Sequence, residues 1–377
     1  MVSIGIRGAG AAGLHLAVAL KERLPETRVA IFDTRPRLPY PERTFCFFRF
    51  RDSICPVKPT YTWPTVTFSS PLFRRNIRCD MSPYSLIEGE RFFAHQLKAA
   101  EDLGVECHWE CTEVSIEPRE IRAGEKTHRF DFAVDAAHDA RTARSVLWQS
   151  FAGVWVESPA PIFDTTSATL MDLDVSACDA PVRFMYMLPT SPTTALIEHT
   201  IFHTNSMPKE WHLEACDSWI TQQGLGPLNI LTTEYGVIPM GLQHATSPRG
   251  LLRVGTAAGS LRASTGYGFQ TIMRDTELLA EQIADAVNNG SKNIASSPPG
   301  IAWWMRYGDR LFVQALAREG ASGQALMDSL LHTAPEREII RFLAGKATFF
   351  EAVRVMQCVP KYPMLKSLLY DFTSSLR

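Results

Sequence analysis

Six residues near the start of the chain, Gly8-Ala9-Gly10-Ala11-Ala12-Gly13, constrain the fold more than any other stretch. Before them Ile4 and Ile6 alternate with small or polar neighbours, as in a short buried strand. After them Leu14 to Leu20 has helix-forming composition. In such a strand–turn–helix unit the first glycine permits a tight turn and the second lets the backbone approach a pyrophosphate. The third lets helix and strand pack closely. The helix N-terminus, with unpaired N–H groups and a positive dipole end, then faces the phosphates. Gly8, Gly10, Ala11, Ala12 and Gly13 are therefore candidate cofactor contacts. Arg28 to Phe32 reads as a second strand ending in Asp33, a carboxylate placed to grip an adenosine ribose. An acid there favours a free 2′-OH, as in FAD or NAD, over NADP.

The 377 residues are 45% hydrophobic and 21% charged, with a net charge of −2. That suits an α/β protein large enough for two domains, or for one with a large insertion. No basic stripe offers itself to phosphates, so nucleic acid is not an expected partner. The eight cysteines form no C-x-x-C pair, and Cys107, His108 and Cys111 lack a second ligand pair, so no metal site is expected. The first strand begins almost at Met1, leaving no room for a signal peptide, and no run approaches the roughly 18–20 apolar residues of a spanning helix. A cytoplasmic protein with reduced thiols is the expectation.

Further along, Arg43 to Phe50 is dense in aromatics and reads either as a core strand or as a pocket wall. Tyr84 to Ala100 reads as an amphipathic helix, and Phe130 to Ala137 as an apolar strand ending in an acid and small residues. The texture then turns to strands. Pro181–Pro189 and Thr194–Phe202, separated by Thr190-Ser191-Pro192-Thr193, should pair as a hairpin. Period two puts Thr194, Leu196, Glu198, Thr200 and Phe202 on one face, with His199 pointing the other way. Trp211 to Gln223 reads as a helix. Leu251 to Phe269 is a buried strand ending in glycines, a small-residue loop and a helix opening near Thr265, which runs to Asn288-Asn289-Gly290. Residues 1–150 and 246–295 are thus expected to form a discontinuous nucleotide-binding domain with small inserted strands. Residues 151–245 would be a β-rich substrate segment and 296–377 a helical region. Apolar residues between Phe349 and Tyr370, mixed with Lys361 and Lys366, either pack on the main core or touch a bilayer peripherally.

Taken in order, these stretches resemble the bacterial lycopene β-cyclase family, a branch of the FAD-binding flavoproteins. The resemblance is carried by the glycine turn with Asp33, by Arg43-Thr44-Phe45-Cys46-Phe47 and by Leu188-Pro189-Thr190-Ser191-Pro192-Thr193. Leu196-Ile197-Glu198-His199-Thr200, Gly255-Thr256-Ala257-Ala258-Gly259, Thr265-Gly266-Tyr267 and Phe342-Leu343-Ala344-Gly345-Lys346 complete it. It implies an α/β, Rossmann-like FAD-binding fold of the hydroxylase type, with an inserted β-rich substrate domain and C-terminal helices. It adds Arg43, Gly255, Ala258, Gly259, Thr265, Gly266 and Tyr267 to the expected FAD contacts, and Phe45, Tyr186, Leu196 and His199 to the expected substrate contacts. Glu198 matches the family's acid. In that role it protonates a terminal double bond of a linear polyene, the cation closes a ring and a proton leaves, with no net redox change although reduced FAD is needed. An apolar pocket would keep such an acid protonated, and an anionic reduced flavin would stabilise the cation. The other reading of Glu198 is an ordinary solvated strand glutamate.

Four places depart from the family pattern. His199 stands where the family has an acid, Asp135-Ala136-Ala137-His138 replaces an Asp-Gly-Arg-Gly-like segment, Ala263-Ser264 replaces a proline, and Arg43 replaces a histidine. They put another polyene or isoprenoid beside lycopene as the substrate. The alternatives to a cyclase are an FAD monooxygenase or halogenase, and a non-catalytic polyene-binding flavoprotein. Against the former, Gly255-Thr256-Ala257 lacks the Gly-Asp pair of flavin hydroxylases, and the Trp-x-Trp-x-Ile-Pro halogenase signature is absent. With no second Rossmann turn, NAD(P)H would deliver electrons without its own domain, or a separate reductase would.

Overall fold

Ile4 and Ile6 lie fully buried in the strand Ser3–Arg7, the centre of a five-stranded parallel sheet. Its order is Leu252–Arg253, Phe132–Asp135, Ser3–Arg7, Arg28–Phe32, Glu106–His108. A parallel sheet must be covered on both faces. Helices Ala11–Arg23, Gly89–Asp102 and Phe269–Asn288 supply one cover, through a core that includes Leu16, Leu20, Leu97 and Ile283. A small antiparallel sheet supplies the other, setting Ile121 and Phe130 against Ala30 and Phe32. The computed structural model describes residues 1–40, 43–138, 145–175, 179–241, 250–294 and 300–374. Cys178, and residues 246–249 and 295 of the expected nucleotide unit, lie outside them.

The second large sheet has seven strands, in the order Asn229–Met240, Leu147–Glu157, Thr194–His203, Val182–Pro189, Ser167–Asp172, Thr65–Ser70, Phe73–Arg78. Val182–Pro189 and Thr194–His203 pair antiparallel, and the Thr190 amide donates to the Thr194 carbonyl at 2.9 Å to close the turn. The last two strands come from the amino-terminal stretch, Thr65–Ser70 running parallel to Ser167–Asp172. The sheet therefore draws on both sides of the boundary expected at residue 150. Helix Lys209–Gln222 packs Cys216 and Trp219 against Val154, Val156 and Ile197 on one face.

Two expected helix starts move. Tyr84–Glu88 is a strand paired with Thr44–Phe48, and the helix begins only at Gly89. An apolar run with a strand partner in register outweighs helical spacing here. The helix expected near Thr265 opens at Phe269, because Gly266 (φ +68°) holds the preceding loop out of helical geometry. The carboxy-terminal helices Trp303–Glu319, Gln324–Thr333 and Glu336–Leu343 bury Phe312, Leu316, Leu330 and Ile340 with Val66, Phe68, Leu170 and Phe184 of the large sheet. No helix among the described residues is long and apolar enough to cross a membrane.

Candidate functional site

At the amino-terminal turn the geometry requires glycine at positions 8 and 13. Gly8 sits at φ +100°, and a Cβ on Gly13 would come within 1.9 Å of the Gly8 carbonyl oxygen. A Cβ on Gly10 would meet nothing within 4 Å, so the turn opens on free space there. No side chain caps helix Ala11–Arg23, leaving its first amides directed at that space. Asp33, 6% exposed, accepts from the Ala9 amide (2.6 Å), the Arg35 amide (2.7 Å) and the Arg35 guanidinium (2.8 and 3.0 Å). Burial pushes its carboxyl up, but Arg35 and the two amides outweigh burial and hold it below the usual range. A ribose hydroxyl reaching Asp33 would displace one of the guanidinium bonds. Beside it lies a cleft of about 390 Å³, bordered by Arg35, Tyr40, Arg43, Phe93 and Trp109.

Glu198 lies in the seven-stranded sheet, 9% exposed, and its Oε1 accepts from Thr200 Oγ1 at 2.9 Å. Its neighbour across the next strand is Gly153, and Glu234 lies opposite Gly153 from the other side. The absent side chain at 153 makes room for both acids. A Cβ there would come within 3.3 Å of Glu198 Cβ, 3.5 Å of Glu234 Cγ and 2.7 Å of the Leu196 side chain. Glu234 is 4% exposed, and its Oε1 accepts from Thr44 Oγ1 at 3.1 Å. Burial first, and the charge of Glu234 second, push the Glu198 carboxyl well above the usual carboxylate range.

A set of neutral donors adjoins the two acids. Tyr186 pairs in register with Glu198, its hydroxyl lies 2.8 Å from that of Tyr84, and Tyr267 donates to Tyr84 at 3.1 Å. Burial raises all three phenols and pushes the Cys46 thiol up to about 12, so each keeps its proton. Strand parity decides which residues of Thr44–Phe48 take part. Thr44 and Cys46 face the acids, and Phe48 meets Tyr84 at 4.9 Å. Phe45 turns away and packs on Phe92 and Phe269 at 5.1 and 4.9 Å. The expected substrate contact at Phe45 is thereby corrected to a place against the aromatic core. Leu196 is buried beside Glu198.

His199 corrects a second expectation. It lies on the opposite face of the sheet, under helix Lys209–Gln222, rather than with the acids. Arg183 Nε donates to His199 Nε2 at 2.8 Å, His199 Nδ1 lies 2.9 Å from His212 Nδ1, and His212 Nε2 lies 3.1 Å from Ser150 Oγ. With its Nε2 accepting, neutral His199 carries its proton on Nδ1, so His212 accepts there and donates from Nε2. Burial, then Arg183 and His212, lower His199 to about 2; burial and Arg183 lower His212 to about 4.

The loop Thr265-Gly266-Tyr267 reaches the same region. A Cβ on Gly266 would strike Gln149 Oε1 at 2.3 Å, and that buried oxygen has no hydrogen-bond partner among the described residues. Thr265 Oγ1 accepts from the Tyr267 amide at 3.3 Å. Buried Arg262 anchors the loop. Its backbone exchanges bonds with Gly266 and Tyr267, while its guanidinium grips Asp309 twice at 2.6 Å and donates to the Phe342 carbonyl. Ser264 adds a bond to Asp309 at 2.8 Å. Gly255 (φ +71°) lies so close to Ala12 that its Cβ would sit 2.7 Å away, and Gly259 (φ +80°) closes the short turn containing Ala258. The expected cofactor residues thus cluster around the amino-terminal turn and this second loop. Open space at Gly10, uncapped amides, the cleft at Asp33 and the orphaned Gln149 oxygen fit a dinucleotide cofactor with a ring that carries an N–H. Among the described residues no group of three or more metal-ligating side chains forms.

Sequence reasoning passed over Glu234, Thr44, Tyr84 and Asp309. The run Thr232-Thr233-Glu234-Tyr235-Gly236-Val237-Ile238, with β-branched residues and one acid beside a glycine, was the available signal for Glu234.

Comparison with known proteins identifies the family and the fold. The lycopene beta-cyclase of Pantoea ananas is 26% identical over 375 residues, spanning 96% of this chain and 95% of that protein. A geranylgeranyl bacteriochlorophyll reductase-like protein from Thermoplasma acidophilum superposes with a TM-score of 0.67 at 14% identity, covering 98% of this chain and 99% of that one. CtdE, solved with FAD and a substrate, gives 0.58 at 11% identity over 89% and 91%. The architecture is the Rossmann-like fold of FAD-binding flavoproteins. Residues 4–369 match the family described as lycopene cyclase protein, and the chain belongs to that family.

Proposed function

We propose that this chain is an FAD-dependent cyclase of linear polyene or isoprenoid chains, lycopene being the first substrate to try, with Glu198 as the proton donor. The observation that carries the reading is a buried carboxyl kept protonated by desolvation and by a neighbouring acid, close to the loop that would meet a flavin. Glu198 gives its proton to a terminal carbon–carbon double bond. The π electrons form the new C–H bond and leave a tertiary cation, which a second double bond attacks to close the ring. Loss of a ring proton restores a double bond, so no electrons are gained or lost overall. Thr200 fixes Glu198 through its 2.9 Å bond, and Tyr186, in register beside the acid, is linked through Tyr84 to Tyr267 in a chain of neutral hydroxyls.

FAD would be held by Gly8, Gly10, Ala11, Ala12 and Gly13 at its pyrophosphate, by Asp33 and Arg43 towards its adenosine, and by Gln149 with Gly255, Ala258, Gly259 and Thr265–Tyr267 at its ring end. When bound and reduced, it would supply negative charge beside the cation. NAD(P)H, directly or through a separate reductase, would keep it reduced. Exposed Trp303, Phe349, Phe350, Tyr362, Leu365 and Leu369 on the carboxy-terminal helices suit peripheral contact with a lipid surface, the source of an apolar substrate.

The test is anaerobic incubation of the FAD-loaded protein with dithionite and lycopene in D2O. Cyclised product with one non-exchangeable deuterium per ring, lost in Glu198→Gln with FAD retained, is expected. Unchanged turnover by Glu198→Gln, or product that forms only once oxygen is admitted, would overturn the proposal.

A further inference from the structure

A cyclisation that begins with a proton donor must end with a proton acceptor, and a glutamate next to the donor supplies one. Building on the cyclase reading above, we propose that Glu234 takes the proton the substrate loses after ring closure, so that Glu198 and Glu234 act as a donor–acceptor pair across Gly153. Their strands are separated by one strand, a backbone spacing of about 9.5 Å. Both side chains project from the same face, and the absence of a side chain at 153 leaves the space between them open to both.

The two carboxyls are held differently. Thr200, on the same strand, donates to Glu198 Oε1, while Thr44, from another sheet, donates to Glu234 Oε1. Each acid thus has one oxygen fixed by a hydroxyl. The titratable groups facing the pair are Cys46, Tyr84, Tyr186 and Tyr267, all held neutral, together with Arg43, whose charge interacts with that of Glu234. Position 199 cannot provide the second acid, since its side chain lies beyond the sheet.

The proton balance closes without a co-reactant. Glu198 ends the first step as a carboxylate. The C–H electron pair next to the ring cation becomes the new double bond, and its proton goes to Glu234. Glu234 then releases that proton to solvent and Glu198 takes one up from solvent, which restores the starting state and draws a fresh proton from the medium at each turnover.

Three variants of the full chain loaded with FAD test this. Glu198→Gln should abolish both ring formation and deuterium uptake; if it turns over normally, the cyclase reading fails and this inference with it. Glu234→Gln should still protonate the substrate. Its kcat should fall about 10²- to 10³-fold, and its product should shift towards isomers deprotonated at another carbon. Removing the neighbouring negative charge should also let Glu198 ionise at lower pH. The alkaline limb of the remaining activity, and the infrared band of the protonated Glu198 carboxyl, should both move down in pH. If Glu234→Gln keeps the wild-type rate, product and alkaline limb while Glu198→Gln is dead, Glu234 is no acceptor and the reading of Glu198 stands. Should Glu234→Gln fail to fold, Glu234→Asp retains the charge but withdraws it by one methylene. A lower kcat with mixed isomers and little change in the alkaline limb is expected from it, and wild-type rate and product overturn the inference.

Discussion

Glu198 and His199 are chain neighbours on opposite faces of one sheet, and the two faces treat a proton in opposite ways. On one, burial and a second acid keep the Glu198 carboxyl protonated. On the other, burial and Arg183 strip His199 and His212 of theirs. Desolvation penalises the charged form in both cases, and the sign follows from whether that form has lost or gained a proton. Neutrality is therefore common to both faces and does not mark the site. What separates them is their company: on one face, loops able to hold a cofactor, and on the other, a covering helix.

The sharpest break in the comparison is Glu198→Gln against His199→Gln. The first should lower kcat by about 10²- to 10⁴-fold. The second should leave kcat within a few-fold and lower the melting temperature, as read by steady-state assay and thermal scan. Next in size is the anchor of the flavin-side loop. Asp309→Ala strands the buried Arg262 charge and should lose about 3–5 kcal/mol in denaturant unfolding.

A smaller effect belongs to Gly153. Gly153→Ala would press a methyl against Leu196 and Glu198, costing about 1–3 kcal/mol in unfolding and parting the two acids. The histidine face predicts an acid-sensitive fold. Both folded-state values lie below the ordinary 6.5, so below that pH the unfolded chain binds protons the folded chain refuses. Stability should fall as pH drops from about 6.5, by roughly 1 kcal/mol per pH unit per histidine. The decline from His212 should end near pH 4 and that from His199 near pH 2. His212→Gln should flatten this slope in urea titrations at several pH values. The smallest effect is expected from Thr200→Val. Loss of the hydroxyl bond, which lowers Glu198, should raise the alkaline limb of activity by less than about one pH unit.

The nucleotide end was legible because its rules are local. Gly8 to Gly13, the following helix and Asp33 lie within one strand–turn–helix–strand unit, and each residue type is dictated by backbone contact. The hairpin was legible for the same reason, since its turn and its period-two faces sit in one stretch. The acid pair was not. Glu198, Glu234 and Thr44 meet only after strands far apart in the chain fall into register, and a single sequence carries no record of that pairing. Parity alone placed His199 on the far face, yet proximity along the chain and likeness to the family pattern drew it into the expected pocket. Tyr84 was lost inside an apparent helix because an apolar run suits either geometry until a partner strand appears. Arg262 and Asp309 stand 47 positions apart, and neither stretch carries a local sign of the burial that unites them.

The strands Thr65–Ser70 and Phe73–Arg78 leave the amino-terminal portion to finish the large sheet, and Leu252–Arg253 comes back to finish the parallel one. Neither portion can be excised intact. A protease cut between 79 and 146 would leave the front fragment without Leu252–Arg253 and the rear fragment without two strands of its sheet. The halves should reassemble only when supplied together, and loss of flavin colour and loss of cyclisation should follow the same cleavage.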